Sequence, residues 1–148
     1  MTSLRTPAKA TAVGRPMYSQ TLPCEPSAAR LGRDLVREIL SLWRLDSLAD
    51  RAALIITELI ANACGHTLCS EVRLVCERPS PTRLRISVVD REPCHLPILD
   101  QANGDAESGR GLLLIDAIAD RWGYDFKGPG KDPWGKEVWA ELRTENDR

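Results

Sequence analysis

The sequence contains no apolar run near the roughly 20 residues that cross a bilayer, and its first 17 residues lack the apolar centre of a secretory signal. We therefore expect a cytoplasmic protein without a membrane partner. An excess of either charge is also missing, since 20 basic and 21 acidic side chains leave a formal net charge of −1. Sequence-independent nucleic-acid binding depends on a basic surface, so we expect no direct nucleic-acid partner.

The cysteines form no CxxC motif and are odd in number. Three of them lie in segments that predict buried helix or strand, so we expect reduced, packed thiols. The alternative is a zinc site built from Cys64, His66, Cys69, Cys94 and His95. A structural zinc site usually brings its ligands in tight pairs on turns, whereas Cys64 lies on a predicted helix, so we favour packed thiols. The cysteines are Cys24, Cys64, Cys69, Cys76 and Cys94, and the histidines are His66 and His95.

No internal repeat or long low-complexity tract divides the chain, and its 148 residues, 43% of them hydrophobic, have room for one compact domain. Residues 1–17 predict a flexible leader, 18–144 the domain, and 145–148 a short tail. The order of elements predicts an α+β fold with helices on one face of a mixed, mostly antiparallel sheet. Apolar spacing predicts helices over about 27–43, 47–66 and 111–120, and strands over 18–22, 71–77, 84–90, 122–126 and 136–142.

The predicted central helix carries a polar pair, Glu58 and Asn62, within an otherwise apolar stretch. Four residues make about one helical turn, so the two side chains share one face. Burying such groups costs roughly 1–3 kcal/mol each unless they find partners, which favours a ligand or a metal at this face. For the pair taken alone, a polar helix face satisfied by water is the alternative.

Two later segments carry further candidate residues. Asp90 ends a predicted strand, where a carboxylate can accept a hydrogen bond at the edge of an apolar slot or simply enter a turn. Gly109-Arg110-Gly111-Leu112 predicts a glycine turn that opens a helix. Glycine lets the backbone approach a phosphate, and a helix start offers free N–H groups and the positive end of the helix dipole. Arg110 either contacts that phosphate or is solvated.

Taken in this order, with a long loop before the last, the three motifs resemble the N, G1 and G2 boxes of the GHKL nucleotide-binding superfamily. The likeness extends to stand-alone histidine-kinase-like ATPases of actinobacteria that are related to the anti-sigma-factor serine kinases. It covers about residues 19–143 and implies the two-layer α/β sandwich called the Bergerat fold. Two further segments carry it, Ile118-Ala119-Asp120-Arg121-Trp122-Gly123 and Gly135-Lys136-Glu137-Val138-Trp139.

The resemblance implies ATP and Mg²⁺ as cofactors. Asn62 would coordinate the metal, Glu58 would act as general base on the attacking hydroxyl or water, and Asp90 would accept a hydrogen bond from the adenine amino group. His66, one turn beyond Asn62, matches a position that is often basic in the family. Approach to phosphate and attraction to the helix C-terminal dipole are equal alternatives for His66. The phosphate-binding residues would be Gly109, Arg110, Gly111 and Leu112.

Two departures from the family pattern bear on nucleotide binding. Many GHKL proteins have Asp-x-Gly-x-Gly where this chain continues from Asp90 with Arg91-Glu92-Pro93-Cys94, so both glycines are missing. A threonine that usually supports the aspartate falls at Glu137. We expect this second carboxylate to lie near Asp90 and either repel it or share a proton with it.

By resemblance, the chain is a Mg²⁺-ATP-binding regulator of transcription, of the anti-sigma-factor serine/threonine kinase type. Such a protein phosphorylates an antagonist protein, sequesters a sigma factor, or does both, and can pair as a homodimer. The alternative is a catalytically inactive module that binds its partner with ATP as a structural ligand or without ATP. The catalytic domain of a two-component histidine kinase is disfavoured, because the chain lacks room for a dimerisation helix pair with a phosphoacceptor histidine.

Overall fold

The computed structural model describes residues 9–10, 15–65, 69–94, 96–97 and 106–147, except for the side chains of 9–10, 106–110 and 147. Within these ranges the chain forms six strands and three α-helices. Short 3₁₀ helices, Asp46–Leu48 and Glu145–Asp147, precede the second α-helix and follow the last strand. The bounds are β1 Lys9–Ala10, β2 Pro16–Pro23, α1 Ala28–Leu42, α2 Ala49–Gly65, β3 Glu71–Ser80, β4 Arg83–Asp90, α3 Ala106–Ile118, β5 Arg121–Lys127 and β6 Gly135–Arg143.

The strands form one sheet in the order β1-β2-β3-β4-β6-β5, and each of these neighbouring pairs is antiparallel. Alternation along the strands separates two faces: Val88 of β4 and Val138 of β6 are buried opposite each other, whereas Ser87 and Trp139 point to the other side. Helix α2 packs on the face that carries the buried valines. The predicted α+β fold is therefore confirmed, and the described sheet is antiparallel throughout.

The hydrophobic core lies between this sheet face and the helices, with α2 at its centre. Ile55, Ile56, Leu59 and Ile60 of α2 are all 2% exposed or less, as the nearly continuous apolar run predicts. Helix α1 packs tightly against α2 at Gly32, where a side chain would collide with the Ile60 methyl group. None of the helices in the described ranges combines the length and the hydropathy needed to cross a bilayer.

Sheet pairing extends further toward the N-terminus than the apolar pattern indicates. Strand β2 begins at Pro16 rather than near Tyr18, because Met17 pairs with Glu77 of β3. Lys9–Ala10, within the segment predicted as a flexible leader, forms the short strand β1 against β2. Backbone hydrogen bonds do not require apolar side chains, so periodicity alone did not reveal these residues as strand.

The expectation of reduced thiols is wrong for Cys24 and Cys64, which form a disulfide. The segment between β2 and α1 reaches the last turn of α2, so the two Cα atoms lie 5.3 Å apart although 40 residues separate them in sequence. Cys69, Cys76 and Cys94 remain thiols. Because Cys64 is bonded to Cys24, it is not available as a ligand of the alternative zinc site. The described residues contain no group of three or more His, Cys, Asp or Glu side chains that could hold a metal ion.

Candidate functional site

Glu58 and Gly111 lie against each other where α2 meets α3. A Cβ atom added at Gly111 would be 2.7 Å from Glu58 Oε2 and 3.6 Å from Glu58 Cδ. The first of these distances is shorter than real Cβ contacts, so the glycine leaves the space that the carboxylate occupies. Two motifs that are far apart in sequence thus come together in the fold.

Asn62 follows Glu58 by one turn on α2, and both side chains are half-buried. The adjoining Leu59, Ile60 and Ala63 are buried and hold the helix against the core. The polar pair therefore lies at the border between core and solvent. From this position its carboxylate and amide oxygens can meet a ligand without a change in the packing of the helix.

The predicted glycine turn is not found ahead of α3. The helix begins at Ala106, so Gly109, Arg110 and Gly111 lie inside it. Ala106 and Glu107 both favour helix, which moves the start toward the N-terminus. The first four N–H groups of a helix lack intrahelical acceptors, and they belong here to residues 106–109 rather than to the residues after Gly109.

Of the other residues predicted to bind phosphate, the structure describes the side chain of one. Leu112 is 3% exposed and belongs to the core, so its side chain supports α3 rather than facing a ligand. The side chain of Arg110 and the whole of His66 lie outside the described residues. Their predicted contacts with phosphate stay predictions.

Asp90 ends β4 directly opposite Lys136 of β6, and both residues are 2% exposed. Lys136 Nζ lies 3.0 Å from each carboxylate oxygen of Asp90 and donates a hydrogen bond to Oδ1. The same ammonium group donates to the backbone carbonyl of Glu92 at 2.5 Å, and the Glu92 N–H donates to Asp90 Oδ1 at 2.8 Å. Oδ1 therefore accepts two hydrogen bonds.

Asp90 Oδ2 is buried and accepts no hydrogen bond from the described residues. Lys136 Nζ is as near to Oδ2 as to Oδ1, but its angle to Oδ2 falls outside hydrogen-bond geometry, so the attraction there is that of an ion pair alone. A buried carboxylate oxygen without a donor is costly, and such an atom suits a ligand N–H. The exocyclic amino group of a nucleobase supplies such a donor.

Glu137 does not lie beside Asp90, so the expected repulsion or shared proton between the two is wrong. Its Oε2 atom accepts a hydrogen bond from Ser87 Oγ at 2.5 Å, and its Oε1 atom lies 3.5 Å from Lys127 Nζ. Ser87 and Lys127 are on the sheet face away from the helices, and Glu137 joins them because successive strand residues point to opposite faces. The neighbour of Asp90 is therefore a cation instead of a second carboxylate.

Lys136 and Gly135 are the site residues that sequence reasoning missed. Lys136 alternates with the buried Val138 and Ala140, so a single cation in the inward set of β6 was the available signal. At Gly135 an added Cβ atom would overlap the backbone carbonyl oxygen of Asp90. The glycine therefore allows β6 to approach the end of β4 closely enough for the Asp90–Lys136 pair to form.

Comparison with known proteins agrees with the α+β fold. A family model described as histidine kinase-like ATPase domain matches residues 22–141, which include α2, β4, α3 and most of β6. An uncharacterized protein of Streptomyces coelicolor is 38% identical over 65 residues. That match covers 40% of this chain and 62% of the relative, so the chain spans less than two thirds of the relative's length.

Proposed function

Because the chain belongs to the family of histidine kinase-like ATPase domains, which implies ATP binding, we propose that it is a cytoplasmic Mg²⁺-ATP-dependent regulator of the anti-sigma-factor kinase type. In this proposal it phosphorylates a serine or threonine of an antagonist protein, sequesters a sigma factor, or does both, and it acts as a monomer or a homodimer. The observation that carries the proposal is the buried Asp90 Oδ2 atom, which accepts no hydrogen bond from the described residues and lies on the sheet face that α2 covers.

Glu58 and Asn62 of α2 have distinct roles in this proposal. Asn62 would hold Mg²⁺, a hard cation that accepts an amide oxygen and keeps several water ligands. The metal, when bound, neutralises phosphate charge. Glu58 takes the proton of the acceptor hydroxyl while the hydroxyl oxygen forms a bond to the terminal phosphorus of ATP. The bond between that phosphorus and the diphosphate breaks, and ADP is released.

The geometry and the resemblance together support the binding residues of this proposal. In this proposal Asp90 Oδ2 accepts a hydrogen bond from the adenine amino group. The free N–H groups at the start of α3 face phosphate, with Gly109, Arg110 and His66 as further contacts. Gly111 keeps its place in the site because it makes room for the Glu58 carboxylate.

Calorimetric titration of ATP with and without Mg²⁺ tests the nucleotide site. We expect Mg²⁺-dependent binding that Asn62→Ala weakens by about tenfold or more, since an interaction with a charged group is removed. Asn146→Ala, an exposed residue after β6, is the matched control and should bind like the wild type. Absence of binding in both conditions would refute the ATP-dependent proposal.

Transfer of radiolabelled phosphate to an antagonist encoded nearby tests the kinase step. Glu58→Gln should lower turnover by about 10²–10⁴-fold while ATP binding is retained, because a general base contributes about that factor. Gly111→Ala should lower turnover as well, since the new methyl group displaces the Glu58 carboxylate. Gly130→Ala, which adds a methyl group in open space, is the control.

A partner-binding module without turnover is the second candidate. Two observations favour it: Lys136 already pairs with Asp90, and the helical conformation of Gly109–Gly111 removes the predicted phosphate-binding turn. This candidate predicts capture of a sigma factor or antagonist that is unchanged in Glu58→Gln, with no phosphate transfer by either protein. Phosphate transfer that is lost in Glu58→Gln would contradict it.

A further inference from the structure

Lys136 is unusual among the lysines of this chain. The chain has only four, Lys9, Lys127, Lys131 and Lys136. Of the three whose side chains the structure describes, Lys136 alone is buried, with 3% of its side chain exposed, while Lys127 is half-buried and Lys131 exposed. Burying an ammonium group is unfavourable even when it is paired, and an apolar residue of similar size often serves stability as well or better. The presence of a cation here therefore suggests a role beyond stability.

The contacts of Lys136 leave the two oxygens of Asp90 in different states. Oδ1 is held by two donors, the Lys136 ammonium group and the Glu92 N–H, whereas Oδ2 has no hydrogen-bond donor among the described residues. The ammonium group is fixed in turn by the Glu92 carbonyl. A carboxylate anchored through one oxygen cannot rotate freely, so the direction of its other oxygen is set before any ligand arrives.

We propose that Lys136 is the positioning residue that sets base selectivity. It fixes Asp90 through Oδ1 and leaves Oδ2 to accept a hydrogen bond from a purine amino group. This inference rests on the proposed ATP site and adds to it the reason why the base is recognised. A purine with a carbonyl group at the same ring position would place an oxygen against Oδ2 and be repelled. The Asp90 carboxylate and the Lys136 ammonium group together carry no net charge, which suits an uncharged amino group on the ligand.

Removal of the cation should abolish this selectivity rather than nucleotide binding in general. In Lys136→Met the Asp90 carboxylate loses one of the two donors that hold Oδ1. The Glu92 N–H then holds it alone, so the carboxylate can turn and Oδ2 no longer has a fixed direction toward the base. The variant should therefore no longer distinguish adenine from a base that carries a carbonyl in place of the amino group.

The first test compares ATP, inosine triphosphate and inorganic triphosphate by calorimetry in the wild type, in Lys136→Met and in Lys127→Met. We expect the wild type and Lys127→Met to bind ATP about tenfold or more tightly than inosine triphosphate, because a hydrogen bond to a charged group is lost and repulsion replaces it. In Lys136→Met this ratio should fall below about threefold. A folded Lys136→Met protein that keeps the wild-type ratio would overturn the inference.

A second test uses the wild-type protein and so does not depend on whether the variant folds. With ¹⁵N-labelled lysine, the buried and hydrogen-bonded ammonium group of Lys136 should give a nuclear magnetic resonance signal distinct from those of exposed lysines. Saturating ATP should shift this signal, whereas inorganic triphosphate should leave it in place. An unchanged signal in ATP-saturated protein would contradict the inference.

The two tests separate failure of this inference from failure of the proposed function. If neither ATP nor inorganic triphosphate binds to the wild type, the nucleotide site itself is wrong and Lys136 loses its role with it. If ATP binds but the base preference and the Lys136 signal do not respond as expected, the ATP site stands and only the role of Lys136 is refuted.

Discussion

Cys76 is a residue whose protonation is coupled to folding. It is fully buried in β3, and burial raises the pKa of its thiol from 9.0 to about 12. In the unfolded chain the thiol loses its proton near pH 9, whereas in the folded protein it keeps the proton until about pH 12. The unfolded state therefore binds fewer protons in this interval. The stabilising contribution of the neutral thiol is complete below about pH 9 and is lost as pH rises toward 12.

We expect the free energy of unfolding to fall by about 1.4 kcal/mol per pH unit above pH 9 because of this thiol. Urea denaturation at several pH values measures the slope, in a background with Cys69→Ser and Cys94→Ser that prevents thiol exchange with those residues. Cys76→Ala in the same background should flatten the slope by this amount. Equal slopes with and without Cys76 would show that the thiol is not buried as described.

At the scale of elements, the contact between the start of β6 and the end of β4 depends on Gly135. Gly135→Ala would drive a methyl group into the carbonyl oxygen of Asp90. That oxygen belongs to the backbone of a hydrogen-bonded strand and cannot move as the end of a flexible side chain can. We expect the free energy of unfolding to fall by about 1–3 kcal/mol, as for overpacking in a core, which chemical denaturation would measure.

Gly130→Ala is the matched control for this prediction, since it makes the same substitution in the connection between β5 and β6. Nothing lies within 4 Å of a Cβ atom at Gly130. Its free energy of unfolding should stay within about 0.5 kcal/mol of the wild type. A Gly135→Ala protein as stable as Gly130→Ala would mean that β4 and β6 are further apart than the structure places them.

For the whole molecule, the disulfide between Cys24 and Cys64 is a covalent link across the fold. It joins the segment before α1 to the last turn of α2 and closes a loop between residues 40 apart, which restricts the unfolded chain. Reduction should lower the free energy of unfolding by about 2–4 kcal/mol. Urea denaturation with and without a phosphine reductant measures this difference.

The double variant Cys24→Ser, Cys64→Ser should already have the lower stability and should not respond to the reductant. This control separates the disulfide from any effect of the reductant elsewhere in the molecule. A wild-type protein whose unfolding is insensitive to reductant, together with two additional titratable thiols, would show that Cys24 and Cys64 are not joined.

Much of the secondary structure could be predicted because it depends on local patterns. Apolar spacing predicted α1, α2 and the hairpin of β3 and β4, since one face of each must be buried. The same spacing placed Glu58 and Asn62 on one face of α2. Bounds were missed where no apolar signal exists, as at Pro16 in β2 and Ala106 in α3. There, strand pairing or helix propensity extends an element beyond its buried part.

The sequence by itself determined the family, the fold class and the candidate residues Glu58, Asn62 and Asp90, because motifs and apolar periodicity can be recognised along the chain. Only the tertiary structure decided which of these residues meet. It placed Lys136 instead of Glu137 beside Asp90, Gly111 against Glu58, and Cys24 on Cys64. Strand register and helix packing set these contacts, and both arise from burial of the core as a whole rather than from any local stretch of chain.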